Sequence, residues 1–119
     1  MPEPPTTQHR VVYRGLTEET AQYLLKENIF TNKGFTDTTV NPWNACEPLD
    51  AERRDTYHNL MAINLPEGAK GLYVAEQEMI VLQRDLTLKC IGCAMFNSVK
   101  IAPDGTPRNI RMFAMELKQ

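Results

Sequence analysis

An α+β fold, with helices early in the chain and a mostly antiparallel sheet late, is predicted by three observations. A capped helical period lies near the start of the chain. From Leu60 onward, apolar and β-branched residues recur in short runs of strand character. Pro103-Asp104-Gly105-Thr106 then marks a hairpin turn near the end. The 119 residues, 42 % apolar and 24 % charged, suit one compact unit with a real core and not a disordered chain. The expected organisation is a flexible leader over residues 1–9 and a single domain over residues 10–119.

In chain order, residues 2–8 are proline-rich and are expected to fray. Arg10 to Tyr13 reads as a short strand. Thr17 is a fitting helix cap, because its hydroxyl can take a free backbone N–H while Glu18 and Glu19 sit at the positive end of the helix dipole. Ala21, Leu24, Leu25 and Asn28-Ile29 keep helical spacing, so one amphipathic helix is expected from Glu18 to about Glu27, stopped by Asn32-Lys33-Gly34. Residues 34–40 are extended. Asn41-Pro42-Trp43-Asn44 reads as a loop, and residues 48–57, with Asp50 as cap, as a second, more polar helix. Met61, Ile63 and Leu65 alternate with Ala62 and Asn64; residues 72–74, 78–82 and 86–96 form further strands, and residues 99–101 pair with 110–117 as a final hairpin.

Composition excludes several functions. A net charge of −2 argues against a dominant electrostatic grip on nucleic acid or anionic lipid. No apolar run approaches the ~20 residues of a membrane span, and residues 1–10 lack the basic start and apolar centre of a signal peptide, which points to a cytoplasm. Three cysteines, an odd number, suggest free thiols. Cys90-Ile91-Gly92-Cys93 lies in a β-like run, where a redox dithiol is not expected. Only the scattered Cys46, His9 and His58 remain to complete a zinc set, so no metal is expected and the preferred reading is small buried strand residues.

Three short blocks in fixed order carry the functional signal: Tyr13-Arg14-Gly15, then Gly34-Phe35-Thr36-Asp37-Thr38-Thr39, then Glu76-Gln77-Glu78. Arg14 and Thr38 are 24 positions apart, and Thr38 and Glu78 are 40 apart. An apolar run follows Glu78, and Ile63-Asn64-Leu65-Pro66-Glu67-Gly68-Ala69-Lys70-Gly71 reads as a strand and a Pro-x-Gly turn leading to it. In order and spacing these residues resemble the arginine, serine-threonine-serine and Glu-x-Glu signature of the R-S-E class of ADP-ribosyltransferases, which move ADP-ribose from NAD to an acceptor. The resemblance covers about residues 11–92. It implies early helices packed on a mostly antiparallel, split β-sheet around an NAD cleft, in a minimal bacterial or bacteriophage mono-ADP-ribosyltransferase.

Breaking the nicotinamide–ribose bond develops positive charge on the sugar, so a carboxylate beside it stabilises the transition state more than the ground state. The resemblance gives that role to Glu78 and gives Glu76 the activation of the acceptor, an arginine guanidinium in Glu-x-Glu members. On one strand the two side chains would project from the same face about 7 Å apart. Alone, the pair also fits a solvated strand face. Arg14 offers a rigid charged fork suited to phosphate, and Gly15 a close backbone approach to the nicotinamide amide. Phe35, Asp37, Thr38 and Thr39 fall at the middle signature and Arg53 at a further phosphate contact, implied contacts to NAD as co-substrate. Arg53 and Arg54 equally fit a solvated helix face.

Three features depart from the pattern. Asp37 stands where the first serine is usual; it can accept a ribose hydroxyl bond, and it would raise the pKa values of carboxylates near it. Only Leu72-Tyr73-Val74-Ala75 separates Gly71 from Glu76, with Tyr73 standing in for a target-contacting aromatic or, like Trp43, packing in the core or rim. Met79 to Arg84 is one residue longer than usual, which a bulge would absorb. The resemblance therefore implies ADP-ribosylation of a protein acceptor, probed against two alternatives: a catalytically silent binding module or inhibitor of a protein partner, and modification of nucleic acid or a small molecule. The acidic balance counts against nucleic acid.

Overall fold

A computed structural model of the chain describes residues 10–46, 57–66, 71–74, 79–82, 84–100, 105 and 107–117. Its elements are β1 (Arg10–Leu16), α1 (Glu18–Glu27), β2 (Ile29–Asn32), β3 (Thr36–Thr39), α2 (Pro42–Ala45), β4 (His58–Leu65), β5 (Gly71–Val74), β6 (Met79–Leu82), β7 (Leu86–Val99) and β8 (Arg108–Leu117). The strands form one eight-stranded sheet in the order β2-β7-β8-β4-β1-β3-β6-β5. Every neighbouring pair is antiparallel except β4 and β8. The α+β architecture with a mostly antiparallel sheet is thus the one the sequence predicts.

Alternation along the strands divides the sheet into two faces. Val12 and Leu16 of β1, Met61, Ile63 and Leu65 of β4, Ile80 and Leu82 of β6, and Phe113 and Met115 of β8 pack on one face with Ala21 and Leu24 of α1. Leu60, Ile110 and Ala45 of α2 pack on the other. Between β1 and β3 the register rests on one pair, Tyr13 with Thr39, whereas the β1–β4 and β3–β6 ladders run for seven and four pairs. That junction is a seam joining two better-paired halves of the sheet.

Helix α1 begins where the cap predicts: the Thr17 hydroxyl accepts the Thr20 N–H at 3.2 Å. It ends at Glu27, as expected, although the helical spacing runs on through Asn28-Ile29. Asn28 turns into the left-handed region (φ 60°, ψ 21°), its N–H closing on the Leu24 carbonyl at 2.9 Å. Ile29–Asn32 then forms β2 and pairs with Leu86–Lys89 of β7. Asn28-Ile29 is therefore not a continuation of the helix stripe. Asn32-Lys33-Gly34 does not stop a helix but turns β2 into β3: the Asn32 side chain accepts the Gly34 N–H at 3.2 Å and donates to the Thr36 hydroxyl at 2.9 Å. Because a β-branched residue pays heavily at positive φ, Asn28→Val should cost about 1–2 kcal/mol in urea unfolding, while Asn28→Gly should stay within a few tenths.

Two further expectations are corrected and a third is narrowed. Pro42–Ala45 is a single helical turn and not a loop, because the Asn41 side chain accepts the Trp43 N–H at 3.0 Å and Pro42 supplies a preset first position. Met79–Leu82 runs in straight register with both β3 and β5, so the bulge expected in Met79 to Arg84 does not fall in those four residues, while Gln83 lies outside the described residues; the register shifts of the described ladders fall in β7, between Cys90 and Gly92 and between Phe96 and Val99. Cys90 is half-buried and Cys93 exposed, not buried as expected, since β2 covers β7 only as far as Lys89. The helix expected over residues 48–57 lies almost wholly outside the described residues, with Tyr57 alone described and not helical.

Candidate functional site

The seam between β1 and β3 brings together some of the predicted residues that the structure describes. Arg14 lies between Val12 and Leu16 in β1 and shares their face of the sheet. Across β4 it stands beside Met61, and Gly15 beside Leu60. From that place Arg14 Nη1 reaches over the seam and donates to the backbone carbonyl of Asp37 at 2.9 Å. One guanidinium nitrogen is thereby fixed, and the planar fork is held at the junction of the two halves.

In β3 the burial pattern alternates: Thr36 and Thr38 are buried, Asp37 is exposed and Thr39 half-buried. Thr38 therefore faces the same side as Arg14, and its hydroxyl donates to the Ile80 carbonyl of β6 at 2.7 Å. Asp37 turns its side chain to the opposite side and meets Arg14 only through its backbone. The Thr39 hydroxyl accepts the Asn41 N–H at 3.2 Å and so belongs to the cap of α2. Phe35 precedes the strand with 63 % of its surface exposed, and the Arg84 guanidinium stands 5.7 Å from its ring centroid. Arg14, Thr38 and Ile80 are thus brought together, with Gly15 next to them; Phe35, the Asp37 carboxylate and the Thr39 hydroxyl are turned elsewhere.

Glu76, Glu78, Arg53 and Arg54 lie outside the described residues. The places of Glu76 and Glu78 in the sequence are nonetheless framed by described strands. Residues 75–78 connect β5 to β6, which pair Val74 with Met79, and Met79 in turn pairs with Thr39. Tyr73 is placed on β5 opposite Ile80. Trp43 sits in α2 with the Arg108 guanidinium 5.3 Å from its ring.

Sequence reasoning missed a polar cluster on the α1 face. Arg111 Nη1 donates to both Glu18 oxygens, at 2.9 and 3.3 Å, and to Asn59 Oδ1 at 3.2 Å. The same guanidinium stands 5.7 Å from the Tyr57 ring, whose hydroxyl donates to Asn97 Oδ1 at 2.6 Å. It ties the first turn of α1 to β8. A cavity of about 320 Å³ opens between α1 and β2; among the described residues it is lined by Glu19, Thr20, Tyr23, Phe30 and Thr31, none of them a predicted site residue. Among the described residues no cluster of His, Cys, Asp and Glu is placed to hold a metal ion, and no helix is long and apolar enough to cross a membrane.

No protein-family model matches the sequence, and no curated protein does. Solved structures do match the fold. The enzymatic component C2-I of the Clostridium botulinum C2 toxin aligns over 97 % of this chain with a TM-score of 0.63 at 18 % identity, covering 32 % of C2-I. C3larvin, an ADP-ribosyltransferase toxin from Paenibacillus larvae, aligns over 98 % with a TM-score of 0.60 at 16 % identity, covering 65 % of that chain. BECa, an ADP-ribosylating toxin of Clostridium perfringens solved with NADH, aligns over 98 % with a TM-score of 0.59 at 16 % identity, covering 32 % of its length. The chain spans about a third of C2-I and BECa and about two thirds of C3larvin. At these identities the shared property is the backbone architecture, and it is enough to say that this chain has the ADP-ribosyltransferase fold.

Proposed function

We propose that the chain is an NAD-dependent mono-ADP-ribosyltransferase of the R-S-E class that transfers ADP-ribose to a protein acceptor, through an arginine side chain, as a bacterial or bacteriophage effector working in a host cytoplasm. The observation that carries the reading is the juxtaposition, on an ADP-ribosyltransferase fold, of Arg14, Thr38 and the start of β6 across the seam, with Glu78 one residue before Met79.

In this reading NAD is the co-substrate. Arg14, held on one nitrogen by the Asp37 carbonyl, keeps its remaining N–H groups for the diphosphate, and Arg53 adds a further phosphate contact. Gly15 admits the nicotinamide amide to the backbone. Thr38 and Thr39 pin β3 to β6 and to the α2 cap, and so position the strand that follows Glu78. Asp37 serves through its backbone carbonyl, and Phe35 stands at the rim. The glycosidic C–N bond breaks with its electron pair leaving on nicotinamide, and Glu78 stabilises the positive ribose. A guanidinium nitrogen of the acceptor then bonds to the ribose carbon and gives its proton to Glu76.

The test is incubation of the purified chain with labelled NAD and a cell lysate, followed by a gel and mass spectrometry of any labelled band. Protein-bound label on arginine supports the whole reading. Label removed by nuclease and not by protease would replace the protein acceptor, and absence of both label and NAD binding would leave the silent module. Arg14→Lys keeps the charge but loses the fork, so NAD affinity should fall about tenfold or more by calorimetry, a loss of at least ~1.4 kcal/mol.

A further inference from the structure

The bulge in β7 does something that a straight strand would not. Residues three apart on a regular strand face opposite sides, so Cys90 and Cys93 should diverge. Here the register runs Cys90 with Met115, Gly92 with Ala114 and Cys93 with Phe113, leaving Ile91 as the extra residue. Met115 and Phe113 are two apart in β8 and are buried in the same cluster. Directly opposed residues share a face, so the bulge brings both thiols to the same side as neighbours.

The local chemistry agrees with this placement. The Cys90 thiol donates to the Gly92 carbonyl at 3.4 Å, which lays it along the strand toward Cys93. Partial desolvation pushes the Cys93 thiol above its ordinary pKa, although the residue as a whole is exposed; the nearby Cys90 adds to the rise and Arg111 opposes it. Cys93 is exposed and Cys90 half-buried, and all three cysteines are free.

The geometry points to Cys90 and Cys93 as a dithiol modification site that closes to an intrachain disulfide by exchange with a low-molecular-weight disulfide. The Cys93 thiolate attacks one sulfur of the small disulfide; its S–S bond breaks and one small thiol leaves with the Cys93 proton. The Cys90 thiolate then attacks the Cys93 sulfur, expelling the second small thiol, which takes the Cys90 proton. Two protein thiols are oxidised by two electrons and one small disulfide is reduced to two thiols. With the bulge, Cys90 and Cys93 span the two register positions from Met115 to Phe113, about 7 Å at Cα, just beyond the roughly 4.4–6.8 Å that a disulfide spans, so closure needs a small contraction. The puckered bulge supplies slack. Beyond Cys90, whose N–H donates to the Asn28 carbonyl at 2.9 Å, the outer edge of β7 supplies freedom, because the β2 ladder ends at Lys89. Such an exposed, slightly strained bond should be readily reduced. The site stands apart from the NAD reading.

The experiment exposes the full chain to excess oxidised glutathione in a mildly alkaline buffer, followed by intact mass and alkylation mapping. The expected product is lighter by two hydrogens, carries its link between Cys90 and Cys93, reopens with dithiothreitol and forms equally in Cys46→Ser. Cys90→Ser should stop at one glutathione bound to Cys93. A wild-type chain that keeps the glutathione adduct, links Cys46 instead, or alkylates fully at both thiols would overturn the assignment, and this wild-type map decides even where a variant folds poorly.

Discussion

Glu78→Gln is expected to abolish NAD hydrolysis and transfer together, by at least about 10²- to 10³-fold, or roughly 2.7–4 kcal/mol of transition-state stabilisation. Glutamine keeps the size and hydrogen-bonding reach of the side chain but not the charge that the positive ribose requires. The neighbouring change separates the two roles: Glu76→Gln should keep NAD hydrolysis within about threefold while transfer is lost, because water needs no activated guanidinium. Initial rates of nicotinamide release and of labelled protein, measured on both variants with circular dichroism as a folding control, check this. Unchanged hydrolysis in Glu78→Gln would remove the catalytic assignment, and equal loss in both variants would remove the division of labour.

Phe113→Ala should cost about 3–5 kcal/mol of stability. Phe113 is fully buried in the middle of β8, opposite Met61 on one side and Cys93 on the other, in the cluster that α1 covers. Its neighbours belong to strands paired on both sides, so the cavity has little room to collapse. Domains of this size hold only about 5–15 kcal/mol in total, and the loss should lower the melting temperature by roughly 10–20 °C. Thermal unfolding and urea titration of the variant check the value; a cost below about 1 kcal/mol would contradict the placement of Phe113 at the centre of the core.

Much of the fold was legible because its signals are local. Thr17, Glu18 and Glu19 announce α1, and the alternation of Met61, Ile63 and Leu65 announces β4. What the sequence hid was set by partners far along the chain. β2 was missed because Asn28-Ile29 continues the helical spacing, and only the left-handed turn at Asn28 and the ladder to β7 end it. The bulge at Ile91 is fixed by the pairing of β7 with β8, and Arg111 finds Glu18 at a separation of 93 residues. At the site, the order of the blocks pointed to Arg14, Thr38 and Glu78, but nothing in their periodicity revealed that β1 and β3 adjoin. One lesson was available from the start: Asp37, Thr38 and Thr39 are consecutive in a strand, so their side chains could not all face one ligand.

The most direct test of the central claim is a titration of nitrogen-labelled chain with NAD, followed by backbone amide shifts. Saturable changes are expected at Arg14 and Gly15, at Thr38 and Thr39, and along Met79–Leu82, all weakened in the Arg14→Lys variant. Shifts confined to the β7–β8 hairpin, or none at millimolar NAD, would contradict it.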